Sequence, residues 1–254
     1  LYGGQMPPLG DWLGSFALPS IVAIVMTFVM LRFSQRARLR GQCDTDIPLP
    51  AFSRTAGIAL GGIVATAILL LVASARGWGL GRPTCLAGVA TAIAVQLSIR
   101  QSPLPLLRHI SWSILPLVAG LFVLVEALGA TGMIAWLADR LHDAAGTSPT
   151  MASAGAGAII AILSNVVNNL PAGLVAAQTI GAAQPPRMVV DAILIGVDIG
   201  PNLSITGSLA TILWLQAIRR EGENVGFFDF LKVGTIVMIP AAAGAIACRL
   251  LIGV

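Results

Sequence analysis

Long apolar runs that carry almost no charge constrain this chain more than any other feature. They cover residues 14–35, 55–76, 83–99, 110–128 and 227–252. As α-helices, runs of this kind reach across a hydrocarbon core of about 30 Å. Because the bilayer core offers no water to unpaired backbone groups, a spanning segment must satisfy its own hydrogen bonds, as a helix does. The sequence therefore predicts an all-α polytopic membrane protein.

The composition excludes a water-soluble domain. Hydrophobic residues make up 56% of the chain and charged residues 10%, whereas soluble domains carry about 25% charged residues. An aromatic content of 6% is low for a porin-like barrel with aromatic girdles. The basic residues behind the net charge of +4 lie mostly between apolar runs, which indicates topology and lipid contact rather than nucleic acid.

The three cysteines, Cys43, Cys85 and Cys248, are far apart in the sequence. There is no CxxC motif and no Cys/His cluster, so the sequence predicts neither a disulfide framework nor a metal site, and no cofactor.

Two further apolar segments are interrupted by polar residues, glycine and proline. Residues 151–182 are broken at 164–171, and residues 188–217 are broken at 198–208. The flanks of the first break, about 10–13 residues each, are too short to span at 1.5 Å per residue and predict a re-entrant helical hairpin. The second segment, about 30 residues in all, is long enough for one discontinuous spanning helix. The predicted fold has about six spanning helices plus the hairpin.

The positive-inside rule gives a topology. The chain is divided into an N-terminal helix with a basic cytoplasmic loop, 1–54, and a transporter portion, 55–254. The hairpin then enters and leaves from outside, and an amphipathic piece at 136–143 lies at the interface. Basic residues facing the cytoplasm are Arg32, Arg36, Arg38, Arg40, Arg54, Arg100, Arg108, Arg219, Arg220 and Lys232; those facing out are Arg76, Arg82, Arg140, Arg187 and Arg249. A single crossing by 151–182 would put Arg219 and Arg220 outside, which favours the hairpin.

Polar groups at the two breaks are the candidate binding residues. Unwound backbone at membrane depth is tolerated where it is buried in protein or lines a wet cavity, and helix ends opened there bind polar substrates and ions. The candidates are Ser164, Asn165, Asn168, Asn169 and Pro171 in the first break, and Asp198, Gly200, Asn202, Ser204, Thr206 and Ser208 in the second. The alternative is that these groups only satisfy one another in a kinked bundle. Their clustering in two neighbouring segments favours a transporter site.

Ionisable residues within apolar segments are functional candidates because a charge inside a membrane is costly. Asp198 is a candidate for proton coupling, whereas Asp191, about two turns earlier, is interpreted as a helix-end or interfacial charge. Glu126 is either a proton-carrying carboxyl or a buried anchor bonded to the backbone. His109 and His142 stand beside charged residues at helix ends and are interpreted as solvated interfacial side chains.

The two broken segments resemble a known transporter family. Residues 164–171 (SNVVNNLP) and 196–211 (GVDIGPNLSITGSLAT), followed by Trp214 and Arg219-Arg220-Glu221-Gly222, are similar to the arsenite efflux permeases, the arsenical pump membrane proteins of the ion transporter superfamily. The resemblance covers essentially the whole chain, but only about the C-terminal half or more of a typical member. Such permeases are built from two inverted repeats, each with a re-entrant hairpin and a discontinuous helix.

The resemblance implies secondary export of arsenite and antimonite across the bacterial inner membrane. It also implies coupling to proton uptake and, in some members, a soluble cytoplasmic ATPase partner. The family binds its substrate between the two repeats, and a first-repeat counterpart is absent from these 254 residues. The chain is therefore expected to supply one side of the site. Its start at Leu1-Tyr2, without methionine or a signal-peptide pattern, fits a piece of a longer protein.

Other functions remain open from the sequence. One is a related transporter that exchanges sodium for protons or carries a carboxylate. Another is a non-transporting membrane subunit or half-protein fragment, motivated by the missing first repeat. An intramembrane enzyme is disfavoured because the sequence has no Ser/His dyad, no HExxH motif and no paired aspartates at a suitable depth.

Overall fold

The protein is described by a computed structural model that covers residues 7–37, 53–99, 112 and 114–253. No strand occurs within these residues, which confirms the all-α prediction. In chain order the helices are α1 Leu9–Ser34, α2 Arg54–Ala75, α3 Gly81–Ile99, α4 Ile114–Ala130, α5 Met133–Thr147, α6 Pro149–Val167, α7 Asn169–Ala183, α8 Arg187–Ile199, α9 Leu209–Arg220 and α10 Phe227–Ile252.

Some of the predicted interfacial residues lie outside the described residues. They are Arg38, Arg40 and Cys43 of the first loop, and Arg100, Arg108 and His109 of the next.

The number of candidate membrane spans matches the prediction of about six, although α6 is among them and the interrupted segment 188–217 is not. The helices α1, α2, α3, α6 and α10 are long and apolar enough to span a bilayer. A sixth span results if α4 and α5, which are bent by 71° at a short break, are counted together. Gly132 makes this bend, with a left-handed φ of 80° that glycine adopts without steric cost. The amphipathic piece predicted at 136–143 lies within α5.

The first break is shorter than predicted, and α6 is correspondingly longer. The helix α6 has 19 residues and α7 has 15, so the prediction that both flanks are too short to span is wrong for α6. The reason is that Ser164 and Asn165 do not interrupt the helix: their side chains donate to the carbonyls of Ile160 and Ala161, one turn back. Only Asn168 leaves the helical conformation, with a φ of 75° and a ψ of 151°.

The helix α7 nevertheless returns toward the start of α6. Its last carbonyl, at Ala183, lies 3.3 Å from Nδ1 of His142 on α5, the helix that leads into α6. The side chains of Ala152, Ile160, Ala176 and Ile180, drawn from both helices, share one buried cluster. The α6–α7 pair thus has the form of a hairpin.

The second break separates two short helices. The helix α8 has 13 residues and α9 has 12. Between them lie a 3-10 turn, Gly200–Leu203, and a non-helical stretch that ends at the α9 N-cap, Ser208. Neither helix is long enough to span alone at 1.5 Å per residue, and together they form the discontinuous element that the sequence predicts.

The chain forms two compact units. In one, α2 and α3 pack side by side, and Gly62 of α2 lies directly against the side chain of Thr91. The other contains residues 12–37 and 116–253, and therefore both breaks.

Small residues bring α6 and α8 into close contact within the larger unit. A Cβ atom at Gly157 would lie 2.8 Å from the carbonyl oxygen of Ala192. Gly196 lies against the carbonyl of Gly157, and Gly200 against the backbone of Ala161. Close backbone approach through small residues is the usual way in which membrane helices associate. This crossing holds the two breaks beside each other.

Candidate functional site

The amide of Asn165 joins the two breaks. Its Nδ2 donates to the carbonyl oxygens of Ala161 and Gly200, each at 2.8 Å. Its Oδ1 accepts from the backbone N–H of Ser204 at 2.9 Å and from the Ser204 hydroxyl at 3.0 Å. A carboxamide has two donor hydrogens and two acceptor lone pairs, so this side chain is fully used. Asn165 therefore clamps the second break to α6.

Further hydrogen bonds connect the residues that follow. The Thr206 hydroxyl donates to the carbonyl oxygen of Asn165 at 2.9 Å and lies 3.2 Å from the Ser204 hydroxyl. Asn168 Nδ2 donates to the Thr206 carbonyl at 3.1 Å, and the Asn169 N–H donates to the Gly207 carbonyl at 2.8 Å. The two breaks, 164–171 and 198–208, are about 35 residues apart in sequence. Together they form one hydrogen-bonded contact, which we call the polar crossing.

Gly207 is required by the close approach at this crossing. A Cβ atom there would lie 2.7 Å from Oδ1 of Asn165 and still closer to the carbonyl oxygen of Pro201. Because both contacts are with groups held by other hydrogen bonds or by the backbone, any larger side chain would separate the breaks.

Two helix N-termini open onto the crossing. The helix α7 begins at Asn169, and its N-cap Asn168 accepts from the Leu170 N–H at 3.2 Å through Oδ1. The helix α9 begins after Ser208, whose hydroxyl oxygen accepts from the Ala210 N–H at 3.1 Å. Such N-termini carry a partial positive charge that favours polar or anionic ligands.

The side-chain amide of Asn169 forms no hydrogen bond with any other described residue. It is half-buried, and its own backbone N–H fixes it beside Gly207 and hence beside Ser208. The Ser208 hydroxyl uses its oxygen as a cap acceptor and keeps its hydrogen for another partner. At this crossing, Asn169 and Ser208 are therefore the side chains best placed to hold a ligand.

The remaining break residues have structural or peripheral positions. Ser164 is fully buried and bonded within α6, and Pro171 and Gly200 are buried. Asn202 is exposed and donates to the Ile199 carbonyl at 3.3 Å. These residues shape the crossing rather than present free polar groups into it.

The structure separates Asp198 from the polar crossing. Its side chain is exposed and opens onto a cavity of about 220 Å³ that Trp12 and Phe16 of α1 and Ala245 of α10 also line. Glu126 is likewise exposed, on α4, and no described residue bonds to it. The interpretation of Glu126 as a buried anchor is therefore wrong, since neither burial nor a backbone bond is found.

Asp191 lies near the start of α8, as the sequence interpretation expects, but its carboxylate is buried and paired instead of solvated. Its side chain is 0% exposed, and its Oδ2 accepts from Nη2 of Arg249 at 2.6 Å and from Nε at 2.8 Å. The Arg249 side chain is also 0% exposed, and Arg187 lies 3.9 Å away at the rim. The sequence hides this pair because its partners lie 58 positions apart. Both are placed near helix ends, where solvated charges are common.

The described histidine and cysteine side chains lie apart from one another. His142 is exposed, as expected, and contacts the Ala183 carbonyl. Cys85 is exposed on α3 and Cys248 is half-buried on α10. Among the described residues no group of three or more His, Cys, Asp or Glu side chains could hold a metal ion.

Comparison with known proteins identifies relatives across most of the chain. The sequence model of a family described as arsenical pump membrane protein matches residues 56–251. The arsenical pump membrane protein of Yersinia enterocolitica is 29% identical over 251 residues, covering 93% of this chain and 58% of the relative. That of Escherichia coli (strain K12) is 29% identical over 244 residues, covering 91% and 56%. An uncharacterised transporter of Synechocystis is 24% identical over 255 residues, covering 90% and 57%.

The chain spans a little over half the length of these curated relatives. No solved structure matches it.

Proposed function

Since the chain belongs to the arsenical pump membrane protein family, we propose that it takes part in the export of arsenite and antimonite across the bacterial inner membrane. The observation that carries the proposal is the polar crossing of the two breaks, with Asn169 and Ser208 beside two helix N-termini. Interrupted helices that meet in this way are the usual form of a substrate site in secondary transporters.

The chemistry of the crossing suits arsenite. At neutral pH arsenite is an uncharged triol, so each of its hydroxyl groups can both donate and accept a hydrogen bond. An amide and a serine hydroxyl offer matching donors and acceptors, and no fixed cation lies within the crossing. The breaks contain no cysteine, so binding there is by hydrogen bonds rather than by thiolate ligation.

The chain contributes one side of this site in the proposal. The matched relatives are longer than the matched region. The resemblance implies that the other repeat, the first of the two inverted repeats, lies opposite the crossing. A cytoplasmic ATPase is a further partner that the resemblance implies.

Export is proposed to be driven by proton uptake. Asp198 and Glu126 are the two candidate carriers from the sequence, and both have exposed carboxyl groups. Asp198 is the stronger candidate because it lies in the last turn of α8, the helix that leads into the second break.

Transport by inside-out membrane vesicles tests the substrate assignment. The protein as its gene encodes it is expressed, and uptake of arsenite, antimonite, sodium and dicarboxylates is measured in parallel. We expect arsenite uptake that Asn169→Ala reduces by about 5- to 150-fold, since a site that loses a hydrogen-bond partner of its substrate loses about 1–3 kcal/mol of binding. Gln178→Ala removes an exposed amide elsewhere on α7 and serves as the matched control.

Three results would count against the proposal. Sodium-dependent proton movement without arsenite uptake would identify a sodium/proton antiporter, and dicarboxylate uptake alone would identify a carboxylate carrier. Full arsenite uptake by Asn169→Ala and Ser208→Ala together would remove the crossing as the substrate site.

A further inference from the structure

A long cleft lies between α5, α6 and α7, separate from the polar crossing. Its volume is about 680 Å³, and none of Asn165, Asn169 and Ser208 lines it. Along α6 its lining runs from Ser148 to Leu163, a distance of about 22 Å at 1.5 Å per residue. Since a hydrocarbon core of about 30 Å gives each lipid leaflet about 15 Å, an acyl chain can lie in the cleft over the whole depth of a leaflet.

The helix α5 forms one wall of the cleft at the level of the membrane surface. It leaves the apolar helix α4 at an angle of 71°, so an α4 that follows the membrane normal places α5 close to the membrane plane. Leu137, Leu141 and Ala144 of α5 line the cleft, whereas Asp139 and Asp143 are exposed and do not line it. An amphipathic helix of this kind lies at the interface with its apolar face toward the acyl chains. The cleft therefore begins at the headgroup level and follows α6 into the hydrocarbon.

The lining along α6 is apolar and open to the bilayer. Ala152, Gly155 and Ala156 make the cleft deep because their side chains are small, and Met151 and Ile159 beside them are 72% and 67% exposed. Apolar cavities in proteins stay dry, since water finds no hydrogen-bond partners there. An acyl chain is the component of a membrane that fills such a space.

Arg140 is the one charged side chain among the residues that line the cleft. It is exposed, and within the described ranges it forms no ion pair. Its guanidinium carbon lies 5.7 Å from the centre of the Trp136 ring, a contact with the face of the ring that uses none of its five N–H donors for a hydrogen bond. The start of α6, at Ser148, adds the partial positive charge of a helix N-terminus. The interfacial part of the cleft therefore attracts an anion.

We propose that the cleft binds a phospholipid with an anionic headgroup, whose phosphate pairs with Arg140 and one of whose acyl chains lies along α6. A guanidinium presents two parallel N–H donors to two phosphate oxygens. A zwitterionic headgroup carries a cation of its own, which repels Arg140, so the cleft favours an anionic lipid. The bound chain fills the space between the interfacial helix α5 and the α6–α7 hairpin and holds them together. This site is independent of the substrate and does not rest on arsenite export.

The alternative occupant is a further part of the protein, because the matched relatives are longer than this chain. The two experiments that follow therefore use the protein as its gene encodes it.

The first experiment counts bound lipid. The detergent-purified protein is titrated with phosphatidylglycerol and with phosphatidylcholine, and native mass spectrometry measures the fraction that retains each lipid. We expect Gly155→Leu to lower the fraction that retains phosphatidylglycerol severalfold, because its side chain extends into the cleft. Nothing lies within 4 Å of a Cβ atom at Gly155, so the substitution fills open space instead of displacing packed protein. The matched control is Gly181→Leu, at an equally open glycine of α7 that does not line the cleft, and it should bind lipid as the wild type does.

The second experiment tests the headgroup. All native cysteines are replaced by serine, and a fluorophore is attached to Met151→Cys, at the open side of the cleft. In vesicles, quenching by brominated phosphatidylglycerol and by brominated phosphatidylcholine is compared. We expect the anionic lipid to be preferred about fivefold, which corresponds to the ~1 kcal/mol that one arginine contributes near an anionic membrane surface. Arg140→Gln should abolish the preference and Arg140→Lys should keep most of it.

A label at Leu251→Cys gives the control for ordinary lipid contact, since Leu251 is exposed on α10 and does not line the cleft. There we expect no preference between the two lipids and no effect of Arg140→Gln.

Four results would overturn the proposal. Absence of quenching at position 151 would mean that protein covers the cleft, and equal quenching there by both lipids would reduce it to ordinary bilayer contact. A preference that survives Arg140→Gln would remove the arginine as the headgroup partner. Undiminished lipid retention by Gly155→Leu would place the bound lipid elsewhere. None of these outcomes depends on whether the protein moves arsenite, so the proposed function is tested separately.

Discussion

Asn165 and Asn169 lie in the same break but have different roles in the structure. Every hydrogen-bonding position of the Asn165 amide is occupied by Ala161, Gly200 or Ser204. The Asn169 amide has no such partner among the described residues. The sequence places both residues in one motif and cannot tell their roles apart. The residues that they contact, Gly200 for the Asn165 side chain and Gly207 for the Asn169 backbone, lie more than thirty positions away. The structure shows that the Asn165 amide positions the second break, and the Asn169 amide is the one that we propose for ligand binding.

This difference predicts that alanine substitutions at the two positions change the stability of the protein by unequal amounts. Asn165→Ala leaves the Ser204 N–H, the Ser204 hydroxyl and the Gly200 carbonyl without their partner, and each unpaired buried group costs about 1–3 kcal/mol. We expect a clear fall in the thermal unfolding temperature of the detergent-purified protein. Asn169→Ala, which breaks no side-chain bond within the described residues, should unfold close to wild type. Equal destabilisation by the two substitutions would contradict the distinction.

At the scale of helices, the crossing of α6 and α8 determines where the breaks meet. Gly157, Ala161, Gly196 and Gly200 remove side-chain bulk from the facing surfaces, so the two backbones touch. The hydrogen bonds of Asn165 extend the same contact beyond the end of α8. The geometry of the crossing therefore depends on small residues at least as much as on polar ones.

A single methyl group at this contact should disturb the site. In Gly196→Ala the new Cβ meets the Gly157 carbonyl and the Ile160 side chain, and overpacking of this kind costs about 1–3 kcal/mol. We expect both a lower unfolding temperature and reduced arsenite transport. Gly155→Ala is the matched control, since nothing lies within 4 Å of a Cβ atom at that position on α6. If the two variants behave alike, close packing is not what holds the breaks together.

The sequence predicts the helices well and their contacts poorly. Apolar runs mark α1, α2, α3 and α10, and the Gly-Pro-Asn stretch marks the second break, because length and turn chemistry are local properties. The end of α6 was misjudged because serine and asparagine can bond back to their own helix instead of ending it. The Asp191–Arg249 pair depends on a contact between distant helices, which no local pattern of the single sequence reports.

At the scale of the larger unit, the starts of α1 and α8 and the end of α10 lie together at one end of the helix bundle. Arg187 at the start of α8 bonds to Ser15 near the start of α1, and Asp191 pairs with Arg249 near the end of α10. The predicted topology requires these three ends to share a side. Because α10 is 26 residues long, about 39 Å at 1.5 Å per residue, its start at Phe227 and the preceding Arg219 and Arg220 belong to the opposite side.

This arrangement predicts the sidedness of two loops. With Cys43, Cys85, Cys248 and any further cysteine of the full protein replaced by serine, a cysteine introduced at Gln184, before α8, should react with a membrane-impermeant thiol reagent added to intact cells. A cysteine introduced at Glu223, before α10, should react only in inside-out vesicles. The orientation follows from Arg219 and Arg220, because basic loops remain in the cytoplasm. The cysteine-free protein gives the background, and labelling of both positions from one side would mean that α8 and α9 do not cross the membrane together.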